Sequence, residues 1–132
     1  MKRTITSLLV LLFCAFAYAQ RTSLTIDNQT PGWLSSKINY GDQVSVENLK
    51  VTGYMNTADF IFLWTLNKER NLRGVIDLSK VHIVKGGGDK YCNIENDNML
   101  GSYIFGYQER VRKLITPESA DTMCYDCFEP CI

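Results

Sequence analysis

Two stretches near the end of the chain can be laid over each other at a fixed offset, and no other feature restricts the architecture as much. Leu100 and Met123 are 23 residues apart, as are Ile104 and Cys127, and Phe105 and Phe128. Leu100-Gly101-Ser102-Tyr103-Ile104-Phe105-Gly106-Tyr107-Gln108 lies over Met123-Cys124-Tyr125-Asp126-Cys127-Phe128-Glu129-Pro130-Cys131. The apolar positions agree in kind, and the phenylalanine is identical. A unit that recurs at such a period cannot bury its apolar face alone, so successive copies stack into one continuous core.

The N-terminal segment reads as a secretory leader. Lys2 and Arg3 supply positive charge, residues 8–16 form an apolar run, and Ala17-Tyr18-Ala19 places small residues where signal peptidase reads them. The run is shorter than the roughly 20 apolar residues that span a bilayer. Phe13 is too bulky to precede a lipid-bearing Cys14, so ordinary cleavage after Ala19 is expected. That leaves 113 residues, room for one domain with a modest core. Twelve basic and 14 acidic residues remain, giving a net charge of about −2 without a basic stripe, which argues against nucleic-acid or anionic-lipid partners. Nothing after residue 19 is long and apolar enough to cross a membrane.

Local patterns order the rest. Ser23-Leu24-Thr25-Ile26 alternates as a strand, and Asn28-Gln29-Thr30-Pro31-Gly32 is a turn cluster. Trp33, Leu34 and Ile38 suit a brief helical turn ended by Tyr40-Gly41-Asp42. Val44-Ser45-Val46 and Leu49-Lys50-Val51 predict one or two strands. The strongest helix runs over 56–70, with Asn56 as cap and Asp59 in the first turn. Phe60, Ile61, Phe62, Leu63 and Trp64 are apolar all round, so this helix should be buried on more than one side. Val75-Ile76-Asp77-Leu78-Ser79 is a strand with Ile76 and Leu78 on one face, and Val81, Ile83 and Val84 prolong its apolar run. Residues 85–98, opening with Gly86-Gly87-Gly88, read as a flexible loop. Val111, Leu114 and Ile115 predict another strand, closed by Pro117.

The offset falls within the 20–29 residues of leucine-rich repeats. Leu100, Gly101, Ile104 and Phe105, then Met123, Cys127, Phe128 and Cys131, resemble two copies of the BspA-type repeat of bacterial surface proteins. Leu114-Ile115-Thr116-Pro117-Glu118-Ser119 resembles the strand and turn between them. Upstream, Leu49-Lys50-Val51-Thr52-Gly53, then Asn56, Thr57, Asp59, Phe60 and Leu63, then Leu72 and Val75 to Ser79, resemble the region preceding such repeats. There are departures: Gly74 adds a residue, Gln108 stands where Cys is usual, and Ile132 falls inside the second copy. About three copies are needed for a stable stack. The resemblance therefore implies a cap module or a truncated remnant whose open end exposes Phe128 and strand edges, a route to self-association. The expected fold is α+β: a signal peptide over 1–19, an N-terminal strand–helix–strand cap over 20–98, and a short leucine-rich solenoid stack over 99–132.

Cys124-x-x-Cys127-x-x-x-Cys131, with Cys92, is the most suggestive chemical motif. Four thiolates can hold zinc or an iron–sulfur cluster, but this order differs from the usual ligand spacings. The repeat offers a plainer account, with Cys127 in a small apolar slot and Cys131 in the slot the family often fills with Cys. Disulfides are permitted to an exported chain, and the four cysteines leave three pairings open. A redox site at Cys124-x-x-Cys127 lacks a βαβ context.

Gly86-Gly87-Gly88 is no phosphate loop, since neither Lys-Ser nor Lys-Thr follows and no helix start is evident. His82, the single histidine, sits on a strand without a nucleophile partner and reads as structural. Asp77 faces solvent or caps a turn. Asp89, Glu95, Asp97, Glu109 and Glu118 do not follow calcium-loop order, and no pair among them points to glycoside hydrolysis. Trp33, Tyr103, Tyr107 and Tyr125 could serve a recognition surface, whereas Trp64 belongs in the core.

No catalytic, cofactor-binding or metal-ligating residue is therefore assigned, and no cofactor is implied. The resemblance implies a non-catalytic recognition or adhesion module, exported and either secreted or surface-held, with the periplasm as the other destination. Its partners would be host or bacterial surface proteins or glycans. Two rival readings are a truncated remnant without independent function and a small metal-binding or redox protein built on the cysteine tail.

Overall fold

A computed structural model of the chain describes residues 22–101, 104–106, 110–124 and 126–127. The expected leader over 1–19 lies outside them, as do Tyr103, Tyr107, Gln108, Glu109, Tyr125, Phe128 and Cys131.

The described residues form β1 (Thr22–Asn28), α1 (Leu34–Lys37), α2 (Tyr40–Ser45), β2 (Val46–Met55), α3 (Thr57–Glu69) and β3 (Val75–Ile83), followed by the shorter β4 (Met99–Leu100), β5 (Lys113–Ile115) and β6 (Thr122–Met123). A four-stranded sheet runs β1-β2-β3-β5, and β4 pairs separately with β6. Every ladder is parallel.

This corrects the expected fold class. The chain is α/β, with a four-stranded parallel sheet, rather than an α+β cap leading into a short leucine-rich solenoid stack. Parallel neighbours cannot be joined by hairpins, so each strand must return by a crossover. The segment with α1 and α2 makes the first, α3 the second, and residues 84–112 the third. The 23-residue offset does correspond to a pairing: Leu100 lies opposite Met123 in the β4–β6 ladder.

Period-two patterning sets the registers. Leu24, Leu49, Ile76 and Leu114 stand side by side across all four main strands on the inner face, so a one-residue slip would expose this whole row. Val51, Met55, Leu78, Val81 and Ile83 complete that face. Gly53 is needed at its position: its φ is +91°, and a Cβ there would sit 2.5 Å from the Asn28 carbonyl oxygen.

α3 begins as the sequence predicts. Asn56 Oδ1 accepts from Ala58 N at 3.1 Å, and the Asp59 carboxylate returns to Asn56 N at 3.0 Å, a capping box. Phe60, Leu63 and Leu66 are buried in the central cluster. A second flank meets the later chain: Phe60 packs edge-on against Phe105 at 5.7 Å, and Trp64 Nε1 donates to Ile104 O at 2.7 Å. Trp64 is thus half-buried at a joint rather than in the core, and Ile61 is exposed. One apolar cluster runs from Leu34 to Cys127.

Two local expectations change. Tyr40-Gly41-Asp42 opens α2 instead of ending a helix, because Asn39 Oδ1 caps Asp42 N at 2.9 Å. Val44 and Ser45 belong to that helix, and β2 starts at Val46.

Candidate functional site

All-parallel sheets are normally covered on both faces. Here the apolar face is buried, while the other carries exposed Ser23, Thr25 and Asp27 from β1, Lys50 and Tyr54 from β2, and Lys80 and His82 from β3. The registers join these residues into rows. Thr25, Lys50 and Asp77 form one, Asp27, Thr52 and Lys80 the next, and Tyr54 and His82 the last.

The rows are held by polar contacts among themselves. Lys50 Nζ lies 3.7 Å from Asp77 Oδ2, and Lys80 Nζ donates to Glu118 Oε2 at 2.7 Å. Asp27 Oδ1 accepts from Thr52 Oγ1 at 3.1 Å and Gln29 Nε2 at 2.6 Å. The Tyr54 and His82 rings are 5.6 Å apart and tilted by 33°. Tyr54, 41% exposed, leaves part of its ring to solvent, giving an amphipathic contact inside a charged surround.

A register shift between Lys50 and Thr52 disturbs the β2–β3 ladder, where β3 carries an extra residue. Asp77 Oδ1 accepts from Ser79 N at 3.0 Å there, so Asp77 both faces solvent and organises a local turn. The Ser79 side-chain and backbone hydrogen bonds, opposed by slight burial and aided by Lys50, hold the Asp77 carboxyl below its ordinary value. Bulges re-aim side chains, and this one turns Ser79 and Lys80 together away from the core.

The carboxyl ends of β1 and β2 gather a second polar group, buried rather than open. The Asp59 carboxylate accepts from Gly32 N (2.6 Å), Leu34 N (2.9 Å), Asn56 N (3.0 Å) and Asn28 Nδ2 (3.4 Å). Asn28 Nδ2 also reaches Tyr54 O at 2.7 Å. The loop predicted to be flexible is fastened onto this group. Gly86 O accepts from Thr57 N at 3.1 Å, Gly86 pairs with buried Ile94, and Thr57 Oγ1 accepts from Ile94 N at 2.8 Å. The glycine run does therefore reach a helix start, but the Asp59 carboxylate and the Gly86 carbonyl dipole already take its donors. A phosphate would be repelled there.

Cys92 and Cys127 are buried and Cys124 is half-buried. Among the described residues no three His, Cys, Asp or Glu side chains assemble as metal ligands. Asp89 turns inward on its own loop, accepting from Tyr91 N at 2.8 Å and Cys92 N at 3.0 Å. Trp33 and Tyr91 are exposed away from the aromatic pair in sequence, and Arg70 stacks on Tyr40 at 5.2 Å.

Of the residues singled out in the sequence, His82, Asp77 and Glu118 come together on the open face. Asp27, Lys50, Thr52, Tyr54 and Lys80 were not singled out. Alternation through Lys50, Thr52 and Tyr54 was the signal that could have found the β2 members. No protein-family model matches the chain, and no curated protein matches it.

Proposed function

We propose that the protein is a non-catalytic recognition module that docks the open face of its sheet against a polar protein or glycan surface. The observation that carries this reading is a face of an all-parallel sheet that no described residue covers, with the Tyr54–His82 pair set among Asp27, Thr52, Lys50, Asp77 and Lys80. An aromatic contact inside a polar surround is the usual composition of a recognition surface. In this reading the adhesive role implied by the resemblance to bacterial surface proteins falls to the sheet face, and the export expected from the N-terminal segment would bring that face to such partners.

The test is binding of the purified chain to arrays of extracellular matrix proteins, bacterial surface proteins and glycans. A Tyr54→Ala/His82→Ala double variant should lose at least about tenfold in affinity, as truncated anchors do. Glu69→Ala, on the exposed end of α3, should bind like the parent. Full binding by the double variant, or no binding by the parent to any array member, would refute the proposal.

A further inference from the structure

After β6 a backbone hydrogen bond joins two cysteines three positions apart. Cys127 N donates to Cys124 O at 3.3 Å, closing a four-residue turn. Such turns hold their end Cα atoms within about 7 Å, and disulfides span Cα separations of about 4.4–6.8 Å. Both ends of the turn are tied to the same neighbouring segment. Cys124 N donates to Leu100 O at 2.9 Å, and Phe105 N donates to Cys127 O at 2.7 Å.

We propose that Cys124 and Cys127 form a reversible disulfide that clamps the turn following β6 against the Leu100–Phe105 segment. Cys124, the half-buried member, is the one that a small disulfide can reach, while Cys127 lies inside the core cluster. Burial, then the neighbouring Cys124, then Asp126 push the Cys127 thiol upward, so Cys127 is suited to act second. The oxidant is a low-molecular-mass disulfide such as glutathione disulfide. The Cys124 thiolate attacks one of its sulfurs, forming a mixed disulfide and releasing one thiolate. Cys127 loses its proton and attacks the Cys124 sulfur, forming the Cys124–Cys127 bond and releasing the second thiolate. The two cysteines are oxidised by two electrons, and the small disulfide is reduced to two thiols.

This clamp has consequences beyond the turn. Phe105 packs on Phe60 of α3, and Ile104 O receives the Trp64 indole. Oxidation thus stiffens the backbone to which Phe105 is tied beside α3.

The experiment equilibrates the purified full chain with glutathione redox buffers and follows intact mass, then maps the linkage after proteolysis. The expected product has lost two hydrogens, carries the Cys124–Cys127 link, and melts about 5 °C higher than the reduced chain. Cys131→Ser should still form the link, and Cys124→Ser, at the half-buried position, should not. A bond from Cys124 to Cys131 or Cys92, or a Cys124–glutathione adduct that Cys127 fails to resolve, would overturn the proposal.

Discussion

Asp59 and Asp27 belong to two polar groups that draw on similar residues and serve opposite ends. Asp59 is buried, and backbone N–H groups from the loop after β1 and from the start of α3 converge on it. Asp27 stands on the open face with two side-chain partners, half-buried Thr52 and exposed Gln29. Removing the first acceptor strands buried donors, which costs about 1–3 kcal/mol for each. Removing the second returns its partners to water. Of these two carboxylates, the one on which buried backbone donors converge is structural, and the one met by side chains of the open face is free to serve recognition.

The largest expected effect tests that contrast directly. Asp59→Ala should lower unfolding free energy by more than about 3 kcal/mol, measured by urea denaturation, while Asp27→Ala should change it by no more than about 0.5 kcal/mol. Equal losses would break the comparison. Gly87→Ala should cost about 1–3 kcal/mol, since φ there is +77° and a Cβ would lie 2.5 Å from Asn56 Cγ. Trp64→Phe keeps most of the ring but loses the hydrogen bond to Ile104 O, so about 1 kcal/mol is expected. Tyr54→Ala should leave stability within about 0.5 kcal/mol while weakening binding. A large stability loss would make Tyr54 part of the scaffold.

The smallest effect concerns pH. The Asp77 carboxyl titrates below its ordinary value of 3.8, chiefly through Ser79. A group depressed in the folded state contributes stability above its unfolded pKa and loses it as pH falls through the folded one. Ser79→Ala should therefore move the Asp77 titration, followed by carbon-detected NMR, upward toward 3.8 and shrink the acid-side loss of stability. An unmoved titration would show that another contact sets it.

Much of the scaffold was legible. The strand at Leu24 and Ile26, the Asn56 cap with its apolar helix, the Ile76–Leu78 face and the strand at Leu114 all declare themselves by local period and chemistry. The open face was not. His82 was visible as an isolated residue, but its partner Tyr54 lies on another strand and becomes its neighbour only through the β2–β3 register. Residues 85–98 looked loose because their fastening comes from Thr57 and the Gly86–Ile94 bridge, both set by tertiary packing. Asp59 looked like a helix-dipole residue because nothing local reveals that Gly32 and Leu34 donate to the same carboxylate.

By itself the sequence determined the periods: which residues turn inward along each strand and where α3 begins. Those properties depend on backbone geometry over a few residues or on a repeated pattern. Only the tertiary structure decided that the ladders between the described strands are parallel and that one sheet face is left open among the described residues. Strand direction and layer order depend on where each crossover packs, and that is set by contacts between residues tens of positions apart.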